Sequence, residues 1–115
     1  MRFIGMLRHD EGAEVTPATY ARMAEFAQEG RLNGTLVELG GLQPSAEGAL
    51  VSLAGGRITA VDGPFTEAKE LVGGYAIFDV RSRVEAVELG RRLMQIHLDT
   101  VPGWEGAVEL RALQE

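Results

Sequence analysis

The chain has 115 residues, enough for a single domain with a hydrophobic core, so we expect one domain over residues 1–115. Its 11 Lys and Arg residues against 17 Asp and Glu residues give a net charge of −6, which disfavours nucleic acid and anionic membrane as partners. The absence of cysteine excludes disulfides, thiol catalysis and thiolate metal sites. The first apolar run is too short for a signal peptide or a membrane span, so a soluble, cytoplasmic protein is expected.

The first third of the chain predicts a strand and a helix. Arg2–His9 is short and apolar at consecutive positions, so both faces of this strand need cover. Thr16 before Pro17 is a typical helix start, and we expect the helix to run to Glu29 with Gly30 as its stop. Its predicted buried face consists of Tyr20, Met23, Ala24 and Ala27.

A second strand is predicted at residues 34–40, and a hairpin follows it. Gly55-Gly56 lies between two apolar stretches, Ala49–Ala54 and Arg57–Val61, which suits a two-residue turn. The register that this turn imposes pairs Leu53 with Ile58, Val51 with Ala60 and Ser52 with Thr59. One face of the hairpin is then apolar, so the register is self-consistent.

The last third predicts a strand, a helix and a final strand. Residues 73–80 are apolar on both faces, as in the first strand. Ser82 and Glu85 form a capping box that opens the second helix, and Ala107–Leu113 is the last strand. The predicted buried stripe of this helix consists of Ala86, Leu89, Gly90, Leu93 and Ile96 or His97.

The order of these elements predicts an α+β fold. It reads β-α-β-(hairpin)-β-α-β, the ferredoxin-like arrangement with a four-stranded antiparallel sheet. Two helices can cover only one face of that sheet, whereas two of its strands are apolar on both faces. The simplest cover for the second face is another copy of the same chain, so a homodimer is expected.

A rigid corner, Asp62-Gly63-Pro64-Phe65, lies between the hairpin and the next strand. An Asp before a turn usually accepts from the backbone N–H two residues on, and Pro64 has none. Asp62 is therefore either a cap for residues 65–71 or a carboxylate held at the mouth of a pocket.

His97 is the best acid–base candidate, because it lies at the C-terminal end of the second helix, where the dipole favours its charge. A capping or core histidine is the alternative. His9, at the end of the first strand, is interpreted as a surface histidine. No zinc-binding or phosphate-binding motif is present, so neither a metal nor a cofactor is expected. The candidate residues for binding a small organic molecule are Phe65, Lys69, Tyr75 and Trp104.

Residues 61–75, VDGPFTEAKELVGGY, resemble the signature of DGPF-domain proteins, a branch of the YciI-related (YCII) family. The resemblance covers nearly the whole chain and implies the fold of the dimeric α+β barrels. Relatives of YciI are thought to use a His from the first helix and an Asp from an Asp-Pro pair after the second. The first helix of this chain holds no His, and its second ends Ile96-His97-Leu98-Asp99, so that pair does not carry over.

Two functions are compatible with the sequence. One is a cofactor-free enzyme of the isomerase or lyase type that acts on a small organic substrate, with Asp62 and His97 moving protons. The other is a non-catalytic, dimeric protein with a metabolite-binding, accessory or regulatory role. Fold alone does not decide between them. The discriminating feature is whether Asp62 and His97 converge in one pocket.

Overall fold

The computed structural model describes residues 1–65 and 71–115, and within them six strands and two helices follow one another. They are β1 (Arg2–His9), α1 (Pro17–Asn33), β2 (Leu36–Gly41), β3 (Ala49–Ala54), β4 (Arg57–Asp62), β5 (Val72–Asp79), α2 (Arg83–Thr100) and β6 (Gly106–Ala112). A short 3-10 helix, Ser45–Glu47, precedes β3. The predicted α+β order is confirmed.

Four strands form one antiparallel sheet in the order β2-β5-β1-β6, which is the ferredoxin-like topology. β3 and β4 form a separate two-stranded sheet. The hairpin has the register that the Gly55-Gly56 turn predicts, with Leu53 opposite Ile58. Both turn glycines have positive φ, 56° and 74°, as the tight turn requires.

The hydrophobic core lies between the helices and one face of the four-stranded sheet. Phe78 is fully buried, and its ring meets Phe26 of α1 edge-on with 6.3 Å between the ring centroids. The opposite face of the sheet carries apolar side chains that are only partly buried: Ile4, Met6, Tyr75 and Ile77. No described element covers this open face.

The prediction for α1 is wrong at its end and, for Tyr20 and Ala24, on its buried face, whereas Met23 and Ala27 do face the core. The helix continues to Asn33 and stops at Gly34, whose φ of 83° lies in the left-handed region. Gly30 instead lies against β2, where an added Cβ would be 2.7 Å from the Cβ of Leu36. The buried residues are Thr19, Phe26, Ala27 and Gly30, with Met23 partly buried. Tyr20 is 68% exposed and Ala24 is exposed as well, whereas Phe26 is buried in the core.

The buried stripe and the Ser82 cap predicted for α2 are confirmed, but the predicted capping box is not, because Glu85 accepts from the N–H of Arg81 and not from that of Ser82. The buried residues of α2 are Ala86, Gly90, Leu93, Ile96 and His97, with Leu89 partly buried. Ser82 Oγ accepts from the N–H of Glu85, 3.2 Å away, while the Glu85 carboxylate accepts from the N–H of Arg81. Neither described helix is apolar enough over sufficient length to span a bilayer.

Three threonines join the start of α1 to the end of α2. Thr16 caps α1 by accepting from the N–H of Thr19, and its own hydroxyl donates to the carbonyl of Thr100. The Thr19 and Thr100 hydroxyls are 2.7 Å apart, and Thr100 donates to the carbonyl of Ile96. This network fixes the end of α2 from which His97 projects.

Candidate functional site

His97 is buried near the C-terminal end of α2, with 3% of its surface exposed. Its Nδ1 lies 2.8 Å from the carbonyl oxygen of Leu93, one helical turn earlier. Its ring packs against the indole of Trp104, with 4.4 Å between the ring centroids. The imidazole is therefore held by its own helix and covered by the loop that follows.

Trp104 lies in the short loop between α2 and β6. Its backbone N–H donates to the carbonyl of Val101, and its ring lies over Gly106, where an added Cβ would be 2.5 Å from Cη2. The indole Nε1 is buried and has no hydrogen-bond partner within residues 1–65 and 71–115. A buried donor without a partner is costly, so a bound molecule with an acceptor could satisfy it.

His9 completes the cluster from the end of β1. Its ring centroid is 6.0 Å from that of Trp104, and its Nδ1 lies 2.8 Å from the carbonyl oxygen of Asp10. A Cβ on Gly73, the second residue of β5, would overlap Nε2 of His9, so a glycine is needed for this approach. His9, interpreted from the sequence as a surface residue, is partly buried and lies beside Trp104.

The two imidazoles share one arrangement of hydrogen bonds. A carbonyl oxygen can only accept, so Nδ1 of both His9 and His97 must donate. When either ring is neutral, its proton is therefore on Nδ1 and its lone pair is on Nε2. The cluster offers two oriented basic nitrogens on rings that neighbour the same indole, and Nε2 of His9 lies against Gly73. We call His9, His97 and Trp104 the His–Trp–His cluster.

A groove of about 850 Å³ runs between α2 and β6 and reaches Trp104. Its apolar lining includes Met94, Leu98 and Val108, and Arg91 and Glu105 add charges of opposite sign. Pockets of roughly 300–1,000 Å³ are typical for small molecules. The groove thus gives a molecule of that size a path to the indole.

The comparisons with known proteins concern the whole fold. The sequence model described as the YCII-related domain matches residues 1–101. The chain belongs to this family. A solved structure to which it is similar is 5-chloro-2-hydroxyhydroquinone dehydrochlorinase from Burkholderia phenoliruptrix, in complex with 2,5-dihydroxybenzoquinone. The two share 14% sequence identity over 99% of this chain and 94% of that chain, with a TM-score of 0.43. No curated protein matches the sequence.

In this YCII-related chain, Asp62 belongs to β4, whereas the residues of the His–Trp–His cluster come from β1, α2 and the loop after α2. It is the last residue of β4, is exposed, and pairs with Ala49 across the hairpin. No described contact joins Asp62 to His97 or Trp104. The contacts within one chain therefore bring His97 and Trp104 together and leave Asp62 outside.

The corner after Asp62 packs on the short helix at Ser45. The N–H of Gly63 donates to the carbonyl of Gly48, and the N–H of Phe65 donates to Ser45 Oγ, 3.4 Å away. Phe65 also lines a pocket of about 370 Å³ that includes Glu11 and Ser45. Lys69, and most of the segment that Asp62 was expected to cap, lie outside the described residues.

A carboxylate clamps the same short helix. Glu11 accepts from the backbone N–H of Ser45 at 2.6 Å and from its hydroxyl at 2.7 Å. These two hydrogen bonds lower the pKa of Glu11, the side-chain bond having the larger effect. Glu11 was not among the predicted residues, and only its position in the acidic loop after β1 marked it.

Tyr75 lies on the open face of the sheet rather than in the cluster. Its ring packs over Gly40 on the neighbouring strand, where a Cβ would be 2.7 Å from Cε1. A hydrogen bond to Glu38 raises the pKa of the Tyr75 phenol, and burial adds to the shift. Among the predicted binding residues that the structure describes, which are Phe65, Tyr75 and Trp104, Trp104 is the one in contact with His97. The described residues contain no group of three or more His, Asp or Glu side chains that could hold a metal ion.

Proposed function

We propose that this YCII-related protein is an enzyme that performs acid–base chemistry of the isomerase or lyase type on a small organic substrate, without a cofactor. One observation carries the proposal: two imidazoles, both donating through Nδ1, lie against the same indole. Their Nε2 atoms are the groups that would take and return a proton. An oriented histidine base of this kind contributes roughly 10²–10⁴-fold to a rate.

The cluster favours a planar substrate with aromatic or carbonyl character. The indole face of Trp104 would stack on such a molecule, and its unpartnered Nε1–H would donate to a carbonyl or phenol oxygen. The apolar groove beside it suits the same class of molecule. The contacts within one chain favour His9 over Asp62 as the partner of His97.

We take the homodimer as the working form of the enzyme. The support is the open face of the sheet, where Ile4, Met6 and Ile77 have no cover in one chain. A second copy placed symmetrically would bury that face.

A screen of small acids, phenols and lactones tests the proposal. Trp104 is the only tryptophan, so its fluorescence reports on the cluster alone, and thermal shift gives a second measure of binding. Binding compounds are then assayed for turnover by NMR. We expect His97→Gln to lower turnover by about 10²-fold or more while the ligand still binds.

The control must be equally destabilised without touching the cluster. Phe26→Leu removes part of a buried ring that packs on Phe78, at an expected cost of about 1–2 kcal/mol. It should keep wild-type turnover at a temperature where it is folded. Turnover that survives in His97→Gln, or that falls equally in Phe26→Leu, would contradict the catalytic role.

One observation favours the alternative of a metabolite-binding protein without a reaction. His97 is 3% exposed beneath Trp104, so a substrate reaches it only after the indole moves. In that case compounds bind and change the Trp104 fluorescence, yet none is converted by the wild-type protein.

A further inference from the structure

The β3–β4 hairpin has no cover in one chain. Every residue of both strands is exposed, and the hairpin is a separate two-stranded sheet. One face carries Val51, Leu53, Ile58 and Ala60, with Val51, Leu53 and Ile58 between 67% and 74% exposed. We call these four residues the arm face. A lone hairpin is marginally stable in water, and such an apolar face is rare on a monomer.

The accessible surface of one chain, compared with that of a typical folded monomer, indicates the area available for an interface. Its accessible surface is 7914 Å², whereas a folded monomer of 12.4 kDa exposes about 6,100 Å². The excess of about 1,800 Å² exceeds the roughly 800 Å² per partner of a standard interface and suits an obligate one. The radius of gyration agrees: it is 15.6 Å, against about 13 Å for a compact domain of this length.

We propose that the arm face packs on a second copy of this chain. The four residues are uncharged, and Asp62 lies on the same face only at the base of the hairpin, so the outer part of the face favours an apolar partner surface over a charged one. The hairpin follows β2 and precedes β5 in the chain, and these two strands pair with each other, so its root lies at the end of the four-stranded sheet where they meet. A second copy that covers the open face would meet the arm as well, and the two apolar surfaces would form one continuous interface.

The root of the arm is fixed before any partner binds. Gly63 donates to the carbonyl of Gly48, which closes the hairpin at its base, and a Cβ on Gly63 would overlap the carbonyl oxygen of Ser45. Glu11 holds Ser45 from the other side through two short hydrogen bonds. Because the hairpin is already held in one orientation, it loses less conformational entropy when it binds a partner.

Two neighbouring residues on opposite faces of the hairpin give a matched test. Ile58→Glu places a charge in the arm face, and Thr59→Glu places the same charge on the other face of the same strand. Their masses are measured by light scattering and the exchange of their hairpin amides by mass spectrometry. We expect Thr59→Glu to remain a dimer with protected hairpin amides. Ile58→Glu should raise the dimer dissociation constant by about 30-fold or more and lose that protection.

Each other outcome overturns the proposal in its own way. An Ile58→Glu protein that dimerises like the wild type and keeps its amide protection shows that the arm face is not a contact. A dimer whose hairpin amides exchange freely even in the wild type shows that the sheet face dimerises without the arm. A wild-type monomer at micromolar concentration shows that the occupant is not a second copy. The last outcome would also remove the homodimer as the working form of the enzyme, whereas none of the three tests the proton transfer proposed for His97.

Discussion

Among single residues, Gly63 is the position in the DGPF corner where the backbone leaves no room for a side chain. A Cβ there would overlap the carbonyl oxygen of Ser45, and a backbone atom cannot swing aside as a side-chain tip can. The corner and the short helix are thus packed backbone to backbone. This contact explains the need for glycine before Pro64, where the sequence alone indicated only a turn.

We predict that Gly63→Ala destabilises the protein by about 1–3 kcal/mol, the usual cost of overpacking. Gly48→Ala is the matched control, because a Cβ at Gly48 would lie at an ordinary 3.4 Å from the same Ser45 oxygen. Urea unfolding of both variants measures the difference. Equal stability of the two variants would show that the close packing of Gly63 on Ser45 does not stabilise the fold.

Glu11 makes the folding stability of the protein depend on pH. Its pKa is lowered in the folded chain by its hydrogen bonds to Ser45. The stability it contributes is therefore present above the ordinary carboxyl pKa of 4.5 and is lost as the pH falls through the lower, folded value.

We expect Glu11→Gln to lower the melting temperature at neutral pH, because an amide accepts these hydrogen bonds less strongly than a carboxylate. The gap from wild type should shrink as the pH drops below about 4.5. Thermal unfolding between pH 7 and pH 3 follows it. A gap that stays constant across this range would show that the ionised carboxylate does not stabilise the fold.

At the scale of elements, the threonine network holds the two helices in register. The Thr19 side chain is 2% exposed, and its hydroxyl lies 2.7 Å from that of Thr100. We predict that Thr19→Val costs about 1–3 kcal/mol, because it leaves buried partners without a hydrogen bond. Thr19→Ser keeps the hydroxyl and should lose less. Guanidinium unfolding compares them, and an order reversed from this one would refute the assignment.

The elements that the sequence predicts well are those whose pattern is local. The Gly55-Gly56 turn sets the hairpin register, and the apolar stripe of α2 follows helical spacing, so both needed no knowledge of the rest of the fold. The buried face of α1 was predicted only in part, because tertiary contacts of Thr19 and Phe26 override a weak periodicity. These contacts join residues far apart in sequence.

The candidate site could be predicted only in part for the same reason. The spacing within α2 and the helix dipole selected His97 without any tertiary information. His9 was missed, although it falls at the same alternate positions of β1 as Phe3 and Gly5, whose side of the sheet faces the helices. His9 reaches Trp104 past Gly73 of β5, where the missing side chain leaves room for the imidazole. No sequence pattern shows that Gly73 and His9 are neighbours.

At the scale of the whole molecule, the open sheet face predicts the dimer. Ile77→Lys places a charge in the middle of that face, which should cause dissociation at micromolar concentration. Leu98→Lys is the control, since Leu98 is 70% exposed on α2, on the other side of the sheet. Light scattering measures both masses. A dimeric Ile77→Lys protein or a monomeric Leu98→Lys protein would place the interface elsewhere.

The proposed chemistry depends on both histidines keeping their proton on Nδ1, and the nitrogens of their rings can be observed directly. The chain has only two histidines, so ¹⁵N-histidine labelling gives four ring-nitrogen signals in a long-range proton–nitrogen correlation spectrum. In the neutral form of each ring, we predict that His9 and His97 both show a protonated Nδ1 and a bare Nε2. A protonated Nε2 on His97 would contradict the account, because the nitrogen proposed to accept the proton would already carry one.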